Sequence, residues 1–205
     1  MRLPFVHHAQ KMCSQCYAAE LLGTFCLTLA VSFALVNASV ITPLVAALTL
    51  CVFVYTVGGI SGAHLNPAVT VGLASVGKIA PVEALKYIAV QLLGAVAAPV
   101  VAAWLVGSPQ VAVEDTLKVA MGEFMGTFVL AFGVSSVVYG KVQPAASGMV
   151  IGLSLLLGIL LAAATSNGVL NPAVAIGIGS VSLFYLVAPL LGGFAGAQFY
   201  KWLQS

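Results

Sequence analysis

The chain has 205 residues, of which 61% are hydrophobic and 6% charged, with a formal net charge of +2. A soluble domain carries about 25% charged residues, so this composition excludes an ordinary water-facing surface and assigns the chain to the membrane class. The small net charge and the absence of any basic run exclude a nucleic-acid partner.

From the N-terminus, Met1 to Glu20 is mixed polar and has no signal-peptide core with a small-residue cleavage site, so the first apolar run is expected to stay as an anchor. Cys13 and Cys16 form a CxxC there. No second pair or βαβ pattern accompanies them, so they read as incidental thiols. A spanning helix needs about 20 apolar residues. Six runs qualify, at roughly 16–37, 41–60, 84–106, 117–139, 146–165 and 183–203. Gly107-Ser108-Pro109 and Lys141-Val142-Gln143-Pro144 break the chain between them. The expected fold class is an all-α membrane protein, a single membrane domain over 1–205. With a cytoplasmic N-terminus, Arg2, Lys11, Lys78, Lys86, Lys141 and Lys201 lie inside and only Lys118 outside, beside Glu114 and Asp115. The positive-inside rule therefore places both termini in the cytoplasm.

The two halves repeat each other. Glu20-Leu21-Leu22-Gly23-Thr24-Phe25 recurs as Glu123-Phe124-Met125-Gly126-Thr127-Phe128, and Asn66-Pro67-Ala68-Val69 recurs as Asn171-Pro172-Ala173-Val174. The first repeat covers 16–110 and the second 117–203. Each holds three spans, an odd number, so the second must enter the membrane from the opposite side. The repeat is inverted, and such pairs place their working site near the bilayer midplane.

Residues 66–76 and 171–181 are apolar but too short to span. Eleven helical residues cover roughly 16 Å, about half the hydrocarbon core. Asn is a favoured N-cap and Pro a favoured first helical residue, and both short segments begin with that pair. Upstream glycines (Gly58, Gly59 and Gly62, then Gly168) suit a non-helical approach. Irregular backbone at membrane depth is tolerated only where it is buried in protein or lines a wet cavity. Two re-entrant half-helices meeting head to head are therefore expected, with a pore between them.

The doubled Asn-Pro-Ala, set within Ser61-Gly62-Ala63-His64-Leu65-Asn66-Pro67-Ala68-Val69-Thr70, together with the paired Glu-x-x-Gly-Thr-Phe, resembles the aquaporin (major intrinsic protein) family from Glu20 to about Tyr200. The resemblance implies six tilted helices, two half-helices and a homotetramer with one pore per subunit. It also implies passive passage of water or other small uncharged solutes across the cell (plasma or inner) membrane. Asn66, Pro67, Ala68, Asn171, Pro172 and Ala173 are the expected pore centre, where the capping amides donate to a passing water. The half-positive ends of two helix dipoles meet there and repel cations. His64 is the expected pore-lining histidine. An intramembrane carboxylate is costly and needs partners; Glu20 and Glu123 are expected to hold the re-entrant loops through their N–H groups.

The sequence departs from the family at the outer constriction. Counting by family spacing, its positions fall on Ala46, Ile159, Gly168 and Val174, and Val174 replaces the usual Arg. This set is small, apolar and uncharged. It predicts a wider constriction and cation exclusion by the centre alone. Ala175, where glycerol channels usually have Asp, argues against strict glycerol selectivity, while Tyr185-Leu186 is mixed. The expected permeants are water and small neutral solutes: ammonia, urea, peroxide, gases or small polyols. No cofactor, metal or enzymatic residue set is expected. A coupled transporter lacks a protonatable group at the centre, and a closed member gated by dewetting of the apolar constriction stays open as an alternative.

Overall fold

The computed structural model describes residues 13–205. Arg2 and Lys11, which enter the orientation count, lie outside the described residues. The helices are α1 (Ser14–Val36), α2 (Thr42–Ser61), α3 (Pro67–Ser75), α4 (Pro81–Leu105), α5 (Leu117–Val138), α6 (Ser147–Ala162, after a 3₁₀ turn at Pro144–Ala146), α7 (Pro172–Ile178) and α8 (Leu183–Leu203). Six of them are long and apolar enough to cross a membrane. The other two, α3 and α7, have 9 and 7 residues.

The boundaries follow local chemistry. The third span begins at Pro81, three residues before the expected start, because proline is pre-set for the first helical turn. The second ends later than its glycines suggest. Gly58 and Gly59 are helical, and only Gly62 leaves the helix, at φ 90. The segment expected over 171–181 stops at Ile178, because Gly179 takes φ 81 and closes the helix with a left-handed cap.

Each half packs in the same way. Helix α1 lies against α2 and α4, and α5 lies against α6 and α8. The halves interlock through α2 on α6, α3 on α8 and α4 on α7. In lipid, helices associate by close backbone approach at small residues. A Cβ on Gly94 of α4 would lie 2.3 Å from the Leu21 carbonyl oxygen of α1. A Cβ on Gly192 of α8 would lie 2.3 Å from the Phe124 carbonyl oxygen of α5. These two glycines are equivalent, 98 residues apart, and in that register Tyr87 corresponds to Tyr185 and Gln91 to Pro189.

Pro99 lies inside α4 and has no N–H to give the Ala95 carbonyl. It is against this carbonyl that Gly177 of α7 packs, its added Cβ falling 2.6 Å away. The buried hydroxyls of α1 are satisfied within the helix. Thr24 donates to the Glu20 carbonyl, Thr28 to that of Thr24 and Ser32 to that of Thr28, each at 2.8 Å. The CxxC occupies the first turn of α1, where the Cys16 thiol donates to the Ile60 carbonyl at 3.2 Å. There it ties α1 to the end of α2.

Candidate functional site

The two half-helices meet through their caps. Asn66 and Asn171 have extended backbone (φ −157 and −148), and a proline follows each. The Asn66 Oδ1 accepts from the Ala68 N–H at 2.8 Å, and the Asn171 Oδ1 from those of Ala173 at 3.0 Å and Val174 at 3.3 Å. Each Nδ2 then reaches across the repeat. Asn66 donates to the Leu170 carbonyl and Asn171 to the Leu65 carbonyl, both at 2.9 Å. An amide has two hydrogens, so one remains on each asparagine.

The loop geometry that permits this exchange is unusual. Ala63, Leu65 and Leu170 hold left-handed backbone, at φ 49, 50 and 56. Such a conformation in a non-glycine residue costs on the order of 1 kcal/mol or more and persists only when its surroundings fix it. The glutamates supply that fixation. Glu20 accepts from the Ser61 hydroxyl (2.7 Å), the N–H groups of His64 (2.9 Å) and Leu65 (2.7 Å), and the Gln91 amide (2.8 Å). Glu123 accepts from the Ser166 hydroxyl (2.9 Å) and the N–H groups of Val169 (2.9 Å) and Leu170 (2.7 Å). Both carboxylates are fully buried. They act as acceptors for otherwise orphaned donors, which a buried loop requires.

Two cavities share part of their wall. The central one, about 30 Å³, is bounded by Asn66, Asn171 and His64, with the rest of its wall aliphatic. A water needs roughly 10–15 Å³ of such volume, so this space suits molecules of that size. The second, about 180 Å³, is bounded by Ala46, Ile159, Gly168 and Val174, the four positions expected at the constriction, and by Thr42 and Asn167. Val31, Ala46, Ile159, Val169 and Val174 bound both cavities and form a collar between them. Pro67, Ala68, Pro172 and Ala173 bound neither; they form the first turns behind the asparagines.

His64 Nδ1 lies 3.1 Å from the Thr70 hydroxyl, which donates to the Asn66 carbonyl at 3.0 Å and accepts from Gln91 at 3.0 Å. The Tyr87 ring meets His64 edge-on, with centroids 5.2 Å apart. Ala175 and Tyr185 pack with Val119 and bound neither cavity. The Tyr185 hydroxyl accepts from the Asn167 N–H at 2.9 Å, so this tyrosine supports the second loop.

Sequence reasoning missed Gln91, Thr70, Val31 and Val169. Gln91 was detectable, as a lone amide in an apolar span, by the same rule that singled out Glu20. Val169 was detectable as the repeat counterpart of His64, two residues before Asn171, whereas Val31 carries no signal that separates it from lipid-facing valines.

Residues 5–200 match the family model described as "Major intrinsic protein". The chain belongs to the major intrinsic protein family. Among its relatives, "Aquaporin NIP1-1" of Arabidopsis thaliana is 33% identical, the match covering 89% of this chain and 71% of that one. "Aquaporin Z" of Bradyrhizobium diazoefficiens is 31% identical over 92% of this chain and 93% of its own. The X-ray structure of the aquaglyceroporin from Plasmodium falciparum superposes with a TM-score of 0.76 at 27% identity, covering 90% of this chain and 94% of that one. The aquaporin-like fold and the multi-pass membrane character of the chain follow from these likenesses and the six apolar helices. Membership also settles the class of protein: a passive channel, not an enzyme.

Proposed function

We propose that water and small uncharged solutes cross between the two repeats in single file, and that ions are turned away where Asn66 and Asn171 face each other. The observation that carries this reading is the reciprocal exchange of asparagine hydrogen bonds beside a water-sized cavity. Each asparagine keeps one amide hydrogen for a passing oxygen. A water that accepts from both directs its own hydrogens away from the centre, which interrupts proton hopping. The N-termini of α3 and α7 add partial positive charge at the same level.

The remaining assignments have graded roles. His64 lines the path on one side of the centre. Ala46, Ile159, Gly168 and Val174 set the width on the other, where no arginine stands. Glu20 and Glu123 hold the loops. The termini are cytoplasmic, the membrane is the cell's plasma or inner membrane, and four copies assemble with one conduit each. Permeants are drawn from water, ammonia, urea, peroxide, gases and small polyols.

Stopped-flow light scattering on purified protein in vesicles tests the reading. Osmotic water flux, or flux of a neutral solute, should exceed that of empty vesicles, with no proton leak and no dependence on a proton or sodium gradient. Flux coupled to either gradient would overturn it.

A further inference from the structure

We infer that Val169 is a specificity-determining residue, and that the outer half of the conduit selects against solutes rich in hydrogen-bond acceptors, favouring ammonia over urea and polyols. This rests on the channel reading above. Val169 is the counterpart of His64 in the second loop, two residues before the asparagine in each case. The inner side of the centre thus has an imidazole where the outer side has an aliphatic chain. Val169 also bounds both cavities, so a permeant must pass it.

The outer cavity has no side-chain donor to spare. Its two polar side chains with hydrogens are Thr42 and Asn167. The Thr42 hydroxyl donates to the Ser39 carbonyl at 2.6 Å. Both Asn167 amide hydrogens are used, on the Ala112 carbonyl and the Ser180 hydroxyl, each at 2.9 Å. Backbone donors face elsewhere too. The N–H of Gly168 goes to Ser166, that of Val169 to Glu123 and that of Val174 to Asn171. Val31, Ala46 and Ile159 lie within helices, where their N–H groups close the helical ladder.

A solute oxygen entering the collar therefore leaves its water donors behind and meets no free donor there until the asparagine amides. An acceptor stripped of partners in an apolar space is costly, whereas a solute N–H can still find carbonyl or amide oxygens. Ammonia presents one lone pair and three hydrogens. Urea presents a strong carbonyl acceptor, and a polyol one acceptor oxygen per hydroxyl. That difference adds to width, which acts most on the bulkiest solutes, so the two must be separated.

Two variants at one position separate polarity from width. Val169→Thr keeps the branched shape and adds a hydroxyl donor. Val169→Ala widens the collar and adds none. Urea influx by light scattering and ammonia influx by internal alkalinisation are measured on vesicles holding wild type or either variant, each monodisperse before reconstitution. Val169→Thr should raise the urea-to-ammonia flux ratio about fivefold, the factor expected from one added hydrogen bond, while Val169→Ala, which only widens the collar, should raise it by less. An unchanged ratio in Val169→Thr, or an equal rise in Val169→Ala, would overturn the inference while leaving the channel reading intact. Wild-type vesicles that pass neither solutes nor water faster than empty ones would overturn both.

Discussion

The two repeats share a skeleton and differ in what hangs on it. In the first, the Glu20 carboxylate is the hub of a polar web that takes in Ser61, two loop N–H groups, Gln91 and, through Gln91, Thr70 and His64. In the second, Glu123 holds the loop with Ser166 and two N–H groups alone. Pro189 stands where Gln91 would be, Ala175 where Thr70 would be, and Val169 where His64 would be. The shared part is backbone geometry: the asparagine caps, the left-handed leucines and the glutamate anchors. What differs is the side chain beside the asparagine centre, polar in the first repeat and aliphatic in the second. Geometry is thus fixed twice by the same means, and specificity is free to sit in one copy.

Breaking each anchor tests the comparison most severely. Glu20→Ala strands the N–H groups of His64 and Leu65 and removes one bond each from Ser61 and Gln91, while Glu123→Ala strands the N–H groups of Val169 and Leu170 and removes one bond from Ser166, which keeps the Ala162 carbonyl. Each stranded buried donor costs roughly 1–3 kcal/mol. Both variants should lose at least about 2 kcal/mol, with Glu20→Ala the worse, read as thermal unfolding in detergent. Equal losses would mean that the Gln91 arm adds nothing.

The next effect should be symmetric. Gly94→Ala and Gly192→Ala each drive a methyl into a carbonyl oxygen of the neighbouring helix. Overpacking of this kind costs typically 1–3 kcal/mol, so both should unfold at lower temperature by similar amounts. A difference of more than about 2 kcal/mol between them would break the equivalence of the two helix pairs.

Val174→Arg sharpens the outer side of the contrast. A guanidinium projecting into the collar narrows it and adds donors. Urea and other bulky solutes should slow several-fold, with water affected less, in the vesicle assay. Unaltered solute flux would remove Val174 from the constriction. The smallest effect is expected from Gln91→Leu. It deletes bonds to Glu20 and Thr70, but it also deletes a buried Oε1 that has no partner. The net change should be about 1 kcal/mol, by the usual worth of a buried hydrogen bond.

Much of this was legible before any coordinates. The inverted repeat, the six spans, the half-helix starts and the glutamate anchors each carry a local signature: an Asn-Pro pair, a run length, a carboxylate where lipid forbids one. What escaped was set by tertiary packing. Nothing in the sequence distinguishes Val31, which bounds both cavities, from Val100 and Val52, which are exposed on the outer face. Glycine as a marker of irregular backbone held for Gly62 and Gly168 but not for Gly58 and Gly59, which are helical, while Ala63, Leu65 and Leu170 also take left-handed turns. The two leucines are held by Glu20 and Glu123 from other helices, a cause no window of local sequence contains.

The crossed reach of the two asparagines has a consequence for how the molecule is made. Each carbonyl that receives an amide belongs to the opposite half, so neither half can complete its own loop. A chain interrupted between Leu105 and Leu117 would have to bring both fragments together before either loop settled. During synthesis, the first loop must wait, incompletely bonded, until the last helices have entered the bilayer.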